Sequence, residues 1–178
     1  MKLYNRYTLL LLPLLLLVGT GGCKDEYFNL STNPNLISNP PLSSLLSTTT
    51  QKTGYSSQRV ANITSYFVQY LASPGAGGST DTYLITDYTG TWDFIYFALA
   101  DLYDLKKRAQ EQGASEYVGV ANVMTAFHLN LIADTFGAGP YSKAFDGTTL
   151  TPGYDSEEVM YTTALNLLNE ALTDLAKT

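Results

Sequence analysis

From Asn39 onward, apolar residues return at helical spacing, and runs rich in glycine and proline break the pattern into segments. Asn39, followed by Pro40 and Pro41, opens a first short helix to about Thr53, with Leu42, Leu45, Leu46 and Thr49 on one face. A second helix is expected from about Ser56 to Leu71, with Val60, Ile63, Phe67, Tyr70 and Leu71 inward. The Ser-Pro-Gly-rich run at 73–78 ends it, and residues 80–88 read as a polar loop with spaced tyrosines. Thr91 can cap a third helix from Trp92 to about Gln110, closed by Gly113. That helix is apolar on two sides: Trp92, Ile95, Tyr96, Leu99, Leu102 and Tyr103 line one, Phe94, Phe97, Ala98 and Leu105 the other. A helix apolar on two sides sits between layers. Ser115 and Glu116 begin a fourth helix, with Val120, Val123, Met124, Phe127 and Leu131 on a common face and Gly137, Gly139 and Pro140 as its stop. Asp155, with Glu158 three positions on, reads as a capping box for a fifth. Its stripe runs through Val159, Met160, Thr163, Ala164, Leu167, Leu168, Ala171, Leu172 and Leu175.

These segments predict an all-α chain of stacked helical pairs joined by irregular loops. No repeat of about 34 residues is visible, so periodicity alone does not yield tetratricopeptide repeats. Only 15% of the 178 residues are charged and 45% are hydrophobic, which excludes a solvated disordered chain.

The first residues follow a different grammar. Lys2 and Arg6 precede a short apolar run at 9–18, and small residues then lead to the single cysteine, Cys23. The run is shorter than the ~20 residues a membrane span needs, so residues 1–22 read as a secretory signal. Thr20-Gly21-Gly22-Cys23 resembles a bacterial lipobox, in which the cysteine becomes the lipidated N-terminus, although Thr20 stands where leucine is more usual. The alternative is an ordinary signal with an incidental cysteine. Residues 23–41, with Pro34, Pro40 and Pro41, read as an extended tether, leaving 42–178 as the helical domain. Removing the leader leaves 8 basic against 16 acidic residues, a net charge of −8 rather than −6. An acidic chain without a basic cluster argues against nucleic acid and against electrostatic capture by anionic lipid.

Several short runs carry a family resemblance: Phe67-Val68-Gln69-Tyr70, Ala121-Asn122-Val123-Met124, Asp134-Thr135-Phe136-Gly137, Pro140-Tyr141-Ser142-Lys143-Ala144-Phe145 and Thr151-Pro152-Gly153-Tyr154-Asp155-Ser156. Asn33-Pro34-Asn35 and Lys24-Asp25-Glu26 add to it, the latter resembling the surface-export signal of Bacteroidetes lipoproteins. Together they resemble the N-terminal part of SusD/RagB-like nutrient-binding outer-membrane lipoproteins. Ala138-Gly139 departs from that pattern, standing where an acid and an apolar residue are usual. The resemblance implies tetratricopeptide-like helix pairs, members much longer than this chain, and a SusC-like TonB-dependent transporter as partner. This chain is then expected to be an N-terminal fragment, anchored through acylated Cys23 and facing the cell surface.

Candidate chemistry is sparse. His128 is the one histidine, and no cysteines or clustered carboxylates are spaced to make a metal site with it. Nucleophile-elbow, phosphate-loop and dinucleotide motifs are missing from the sequence, so neither catalytic residues nor a cofactor is expected. Asp87, Asp93, Asp101, Asp104 and Asp134 supply carboxylates, but nothing in the sequence pairs two of them for glycoside hydrolysis. Tyrosine is the unusual component, at 14 residues. Aromatic faces suit the apolar face of a sugar ring, and the phenol adds a hydrogen bond. Tyr83, Tyr88 and Trp92, at the end of the glycine-rich loop, are therefore the expected carbohydrate platform, though Trp92 also begins an amphipathic stripe. Tyr141 and Tyr154 read as packing residues. The expected function is capture of a nutrient glycan for uptake. The alternatives are a tethered helical adaptor with only protein partners, or an enzyme.

Overall fold

The computed structural model describes residues 37, 39–75 and 77–177. The leader, Cys23 and most of the tether lie outside the described residues. Among those described, four helices carry the fold: α1 (Leu42–Phe67), α2 (Thr89–Glu111), α3 (Ser115–Phe136) and α4 (Glu157–Leu175). The only pairing of extended backbone among the described residues is an antiparallel bridge between Gly139 and Asp155. α1 packs on α2 and α3, α2 on α3, and α3 most extensively on α4.

α1 is one helix, where the sequence suggested two. The Thr run does not break it, because the hydroxyls of Thr48, Thr49, Thr50 and Thr53 each donate to the carbonyl one turn back, at 2.7–3.1 Å. Those hydroxyls are satisfied inside the helix and do not compete for its backbone. Gly54 costs about 1 kcal/mol in a helix interior, and the burial of Leu42, Thr49, Ser56 and Val60 along one face outweighs it. The helix stops at Phe67, so Tyr70 and Leu71 are exposed where an inward position was expected.

Two caps also differ. α2 starts at Thr89, not Trp92. Asp87 accepts from the Thr89 amide (2.8 Å) and hydroxyl (2.5 Å) and satisfies the helix start from outside, while Thr91 is buried. α4 is capped by Ser156, which accepts from the Val159 amide at 3.4 Å. Asp155 is committed elsewhere, as described below, so the expected capping box does not form.

α3 is the central helix and is buried over most of its circumference. Small residues, among them Gly119, Ala121, Thr125, Ala126 and Ala133, let its neighbours approach closely. At Gly119 a β-carbon would stand 2.7 Å from Leu175 Cγ and 3.3 Å from the Ala171 carbonyl, so only glycine fits the α3–α4 crossing without displacement. The face expected from the sequence is split: Met124 is buried, but Val123 and Phe127 are exposed. On α4, Met160, Ala164, Leu167 and Ala171 pack inward, whereas Val159, Leu168 and Leu172 of the expected stripe are exposed. The stripe is wider than the single surface, α3, that covers it.

Leu42, Leu102, Leu105, Val118 and Met124 form one end of the core, and Val60, Ile95, Leu99, Ile132 and Met160 the other. His128 lies between the helices, fully buried. Its Nδ1 is 2.8 Å from the Met124 carbonyl, so that nitrogen donates, and Nε2 accepts from the Ser56 hydroxyl at 3.3 Å. Burial pushes this imidazole below its ordinary pKa, against the opposing effect of the Met124 carbonyl. It is a packed, hydrogen-bonded histidine.

Candidate functional site

Two connections and one helix end build an open groove on the domain. The chain enters α2 through Thr86, Asp87 and Tyr88. α3 ends at Phe136, where Gly137 takes a left-handed φ of 81° that favours glycine. The connection at 137–156 then crosses back towards the start of α2. Between them lies an open groove of about 620 Å³, lined by Tyr88, Trp92, Phe136 and Tyr154 as rings and by Thr86, Asp87, Thr89 and Asp93 as polar groups.

Asp155 fixes the connection. Its backbone exchanges hydrogen bonds with Gly139 at 3.0 and 3.1 Å. Its carboxylate accepts from the Tyr141 amide (2.9 Å), the Ser142 amide (2.7 Å) and the Ser142 hydroxyl (2.8 Å). Three charge-assisted bonds outcompete the single capping bond that the sequence had suggested for this residue. Burial pushes the Asp155 carboxyl up, but those hydrogen bonds, with nearby Lys143, outweigh it and hold the pKa below the usual value. Gly139 sits so close beneath the loop that a β-carbon there would meet Tyr96 Oη at 2.6 Å and Ile132 and Met160 at 3.0 Å.

Trp92 is the centre of the groove. It lies edge-to-face with Phe136 (5.2 Å, 85°) and tilted against Tyr96 (4.7 Å), and it stacks with Tyr154 at 6.1 Å and 22°. Tyr154, expected as a packing residue, is 68% exposed and presents its ring to solvent beside Trp92. Tyr88 joins them from the other wall, and its ring packs edge-on against Phe67 at 6.4 Å. Its hydroxyl is buried with no partner among the described residues.

Of the three aromatic residues singled out in the sequence, the structure brings Tyr88 and Trp92 together and leaves Tyr83 apart. Tyr83 leans on Phe67 at 5.7 Å, and its hydroxyl donates to the Phe67 carbonyl at 3.1 Å. Sequence reasoning missed Tyr154 and Phe136. The Pro152-Gly153 turn was the available signal that Tyr154 would be exposed, but its pairing with Trp92 is long-range and leaves no local mark.

Three of the five carboxylates noted in the sequence are held by other side chains. Asp101 is ion-paired with Lys52 of α1 at 2.6 Å, and Asp104 with Arg108 at 2.8 Å. Asp134 accepts from the hydroxyl of Tyr161 and from Asn130. Asp87 and Asp93 do line the groove. The Thr89 hydroxyl and amide hold Asp87 below its usual pKa, the opposite of what a general acid needs. Among the described residues no cluster of His, Cys, Asp or Glu could hold a metal ion, and no helix is long and apolar enough to cross a membrane. What the groove offers is stacking faces beside hydrogen-bonding groups at its rim, an arrangement suited to binding a polyhydroxylated ligand.

Comparison with known proteins agrees with this architecture. The SusD-like family model described as "Starch-binding associating with outer membrane" matches residues 34–178. No curated protein matches the chain. Among solved structures, a SusD/RagB family protein from Bacteroides thetaiotaomicron superposes with a TM-score of 0.67 at 22% identity, over 76% of this chain. The chain covers 30% of that protein's length.

Proposed function

The chain belongs to the SusD-like family, and from that premise we propose that it captures a nutrient glycan at the Trp92 groove and delivers it for uptake. The observation that carries this reading is the exposed ring of Tyr154 stacked on half-buried Trp92 in the groove, flanked by Asp87, Asp93, Thr86 and Thr89. Such a pair accepts the C–H face of a pyranose, and the polar groups take its hydroxyls. The family description supports starch-like α-glucan as the first ligand to test.

In this reading residues 1–22 are removed, Cys23 carries the acyl chains, and 23–41 tethers the domain to the outer membrane. More than one chain on a single residue gives stable anchoring, where one acyl chain gives only marginal binding. A SusC-like TonB-dependent transporter is the proposed recipient, and no chemical step is part of the function. Intact mass and fatty-acid labelling of the protein from its host's membranes test the anchor, and an unlipidated soluble species would remove it.

The tethered-adaptor reading has one observation in its favour, the uncovered apolar side of α4, where Leu165 and Leu172 are 63% and 71% exposed. Calorimetric titration with maltoheptaose and a glycan panel separates the two. Tyr154→Ala removes an exposed ring, so the fold should persist while affinity falls about tenfold, the upper end of one aromatic contact. Glycan binding unchanged in both Tyr154→Ala and Trp92→Ala would sink the groove reading and leave the adaptor.

A further inference from the structure

A smaller, more enclosed cavity of about 140 Å³ lies between α2, α3 and the 137–156 connection, and no residue of its lining belongs to the groove. Leu99, Leu102, Tyr103, Tyr141 and Phe145 give it mainly apolar walls. Tyr103 lies 5.9 Å from Phe145 at 30°, and Tyr141 meets Phe145 edge-on at 6.2 Å and 67°. A flat ring entering between them meets one wall by its face and another by its edge, the two favoured aromatic arrangements. The lining residues Tyr103, Ser142 and Asp146 are exposed, so the cavity opens to solvent on that side. Its volume is close to the ~150 Å³ of an apolar cavity that admits one benzene ring.

The polar side chains of the lining fall into two groups. Lys106 faces Glu170 at 3.6 Å, Asp146 accepts from the Thr148 amide and hydroxyl, and Ser142 donates to Asp155. Those three have their counterparts within the protein. Thr125 does not. It is only 7% exposed, its side chain lines the cavity, and its hydroxyl makes no hydrogen bond with another described residue. The threonines of α1 behave differently, each donating to the carbonyl one turn back. A hydroxyl held against apolar walls requires a partner from within the cavity.

These features select a ligand. A benzene ring fits but leaves the Thr125 hydroxyl unpaired. One hydroxyl on that ring needs little extra room, because an O–H···O contact of ~2.8 Å is shorter than van der Waals contact. An ionised substituent would lose its hydration against Leu99, Leu102 and the rings. We infer that the cavity is a binding site for an uncharged single-ring phenol, with its ring between Tyr103, Tyr141 and Phe145 and its hydroxyl on Thr125. The inference does not rest on the glycan reading of the groove, since the two linings are separate.

The test titrates the full chain with phenol, benzene and benzoate and follows the backbone amides of Thr125, Tyr141 and Ser142 by NMR. The expected result is saturable binding of phenol, about fivefold tighter than benzene, the equivalent of one hydrogen bond, and none of benzoate. Thr125→Val keeps the shape of the side chain and removes its hydroxyl. Phenol affinity should fall to that of benzene in this variant, while benzene changes by less than about twofold. Tyr154→Ala, in the groove, should leave phenol binding unchanged. Phenol that does not saturate in the wild type overturns the site. Benzene that binds the wild type as tightly as phenol, or phenol binding untouched in Thr125→Val, overturns the role of the hydroxyl and with it the ligand class. Phenol binding lost in Tyr154→Ala would place the ligand on the groove rings and overturn the cavity as its site.

Discussion

The two long connections of this domain are built to opposite standards. The one at 137–156 is pinned by the Asp155 carboxylate and the Gly139 bridge and is packed from beneath by Tyr96 and Met160. It supplies walls to both cavities. The one at 68–88 is held by bonds within its own turns and by scattered ties: the Tyr70 and Leu71 amides to the Ser65 carbonyl, the Ser73 amide to Asp81 at 2.8 Å, and the Tyr83 hydroxyl to the Phe67 carbonyl at 3.1 Å. It leaves Tyr70, Leu84 and Ile85 exposed, and only its last residues, from Thr86, reach the groove. The contrast follows from one residue type in two settings. An aspartate that meets three donors organises a loop, and one that meets a single amide marks a turn. A binding wall must be held in place before the ligand arrives, because ordering it on binding subtracts from affinity.

The largest expected effect comes from removing the stronger anchor. Asp155→Ala leaves the Tyr141 and Ser142 amides without their acceptor and should cost about 2 kcal/mol, allowing for partial exposure of the site. Asp81→Ala loses one bond and should cost about 1 kcal/mol or less. Urea unfolding at unchanged slope measures both. Hydrogen exchange should localise the first loss to the Tyr141 and Ser142 amides. Equal costs for the two variants would break the comparison between the connections.

Acid sharpens it. The folded-state pKa of Asp155 lies below its unfolded value of about 3.9, so the anchor contributes fully above that pH and is lost as pH falls through the folded value. The stability gap between wild type and Asp155→Asn should therefore be constant from neutral pH down to about 4 and close below it. His128 acts in a separate window. Its folded pKa is also depressed, but for a base this means that the unfolded chain binds the proton first. Stability from that source is complete above about 6.5 and declines as pH falls below it. A wild-type curve with two acid limbs, the lower one reduced in Asp155→Asn while Asp87 and Asp146 keep their share of it, is the expected result. A lower limb of undiminished size in the variant would show that Asp155 is not the anchor.

The helices were legible in the sequence because their signals are local. Gly113, Gly137 and the apolar spacing of α2 and α4 place three of them within a few residues. Apart from the helix caps at Asp87 and Ser156, what stayed hidden was a long-range choice. Nothing near Gly54 shows that α1 continues through it, because the compensation comes from Thr49, Ser56 and Val60 packing against other helices. Nothing near Val123 and Phe127 shows that they lie outside, because that depends on how far α4 covers α3. In the groove, Tyr88 and Trp92 could be chosen because they adjoin one helix start. Tyr154 could not, because 62 positions separate it from the ring it stacks on.

Tyr83 provides the smallest and most exacting test of the comparison. Its backbone is left-handed, at a φ of 54°, a conformation most side chains avoid. Its hydroxyl holds the end of α1, and its ring rests on Phe67 rather than in the groove. Tyr83→Phe keeps the ring and removes one exposed hydrogen bond, so stability should fall by about 0.5 kcal/mol. Glycan affinity should change by less than about twofold, since no group lining the groove is touched. The same titration used for Tyr154→Ala measures it. A tenfold loss in Tyr83→Phe would mean that the phenol turns from Phe67 towards the ligand and that the loosely tied connection closes over the groove. The anchored loop would then be only half of the binding wall.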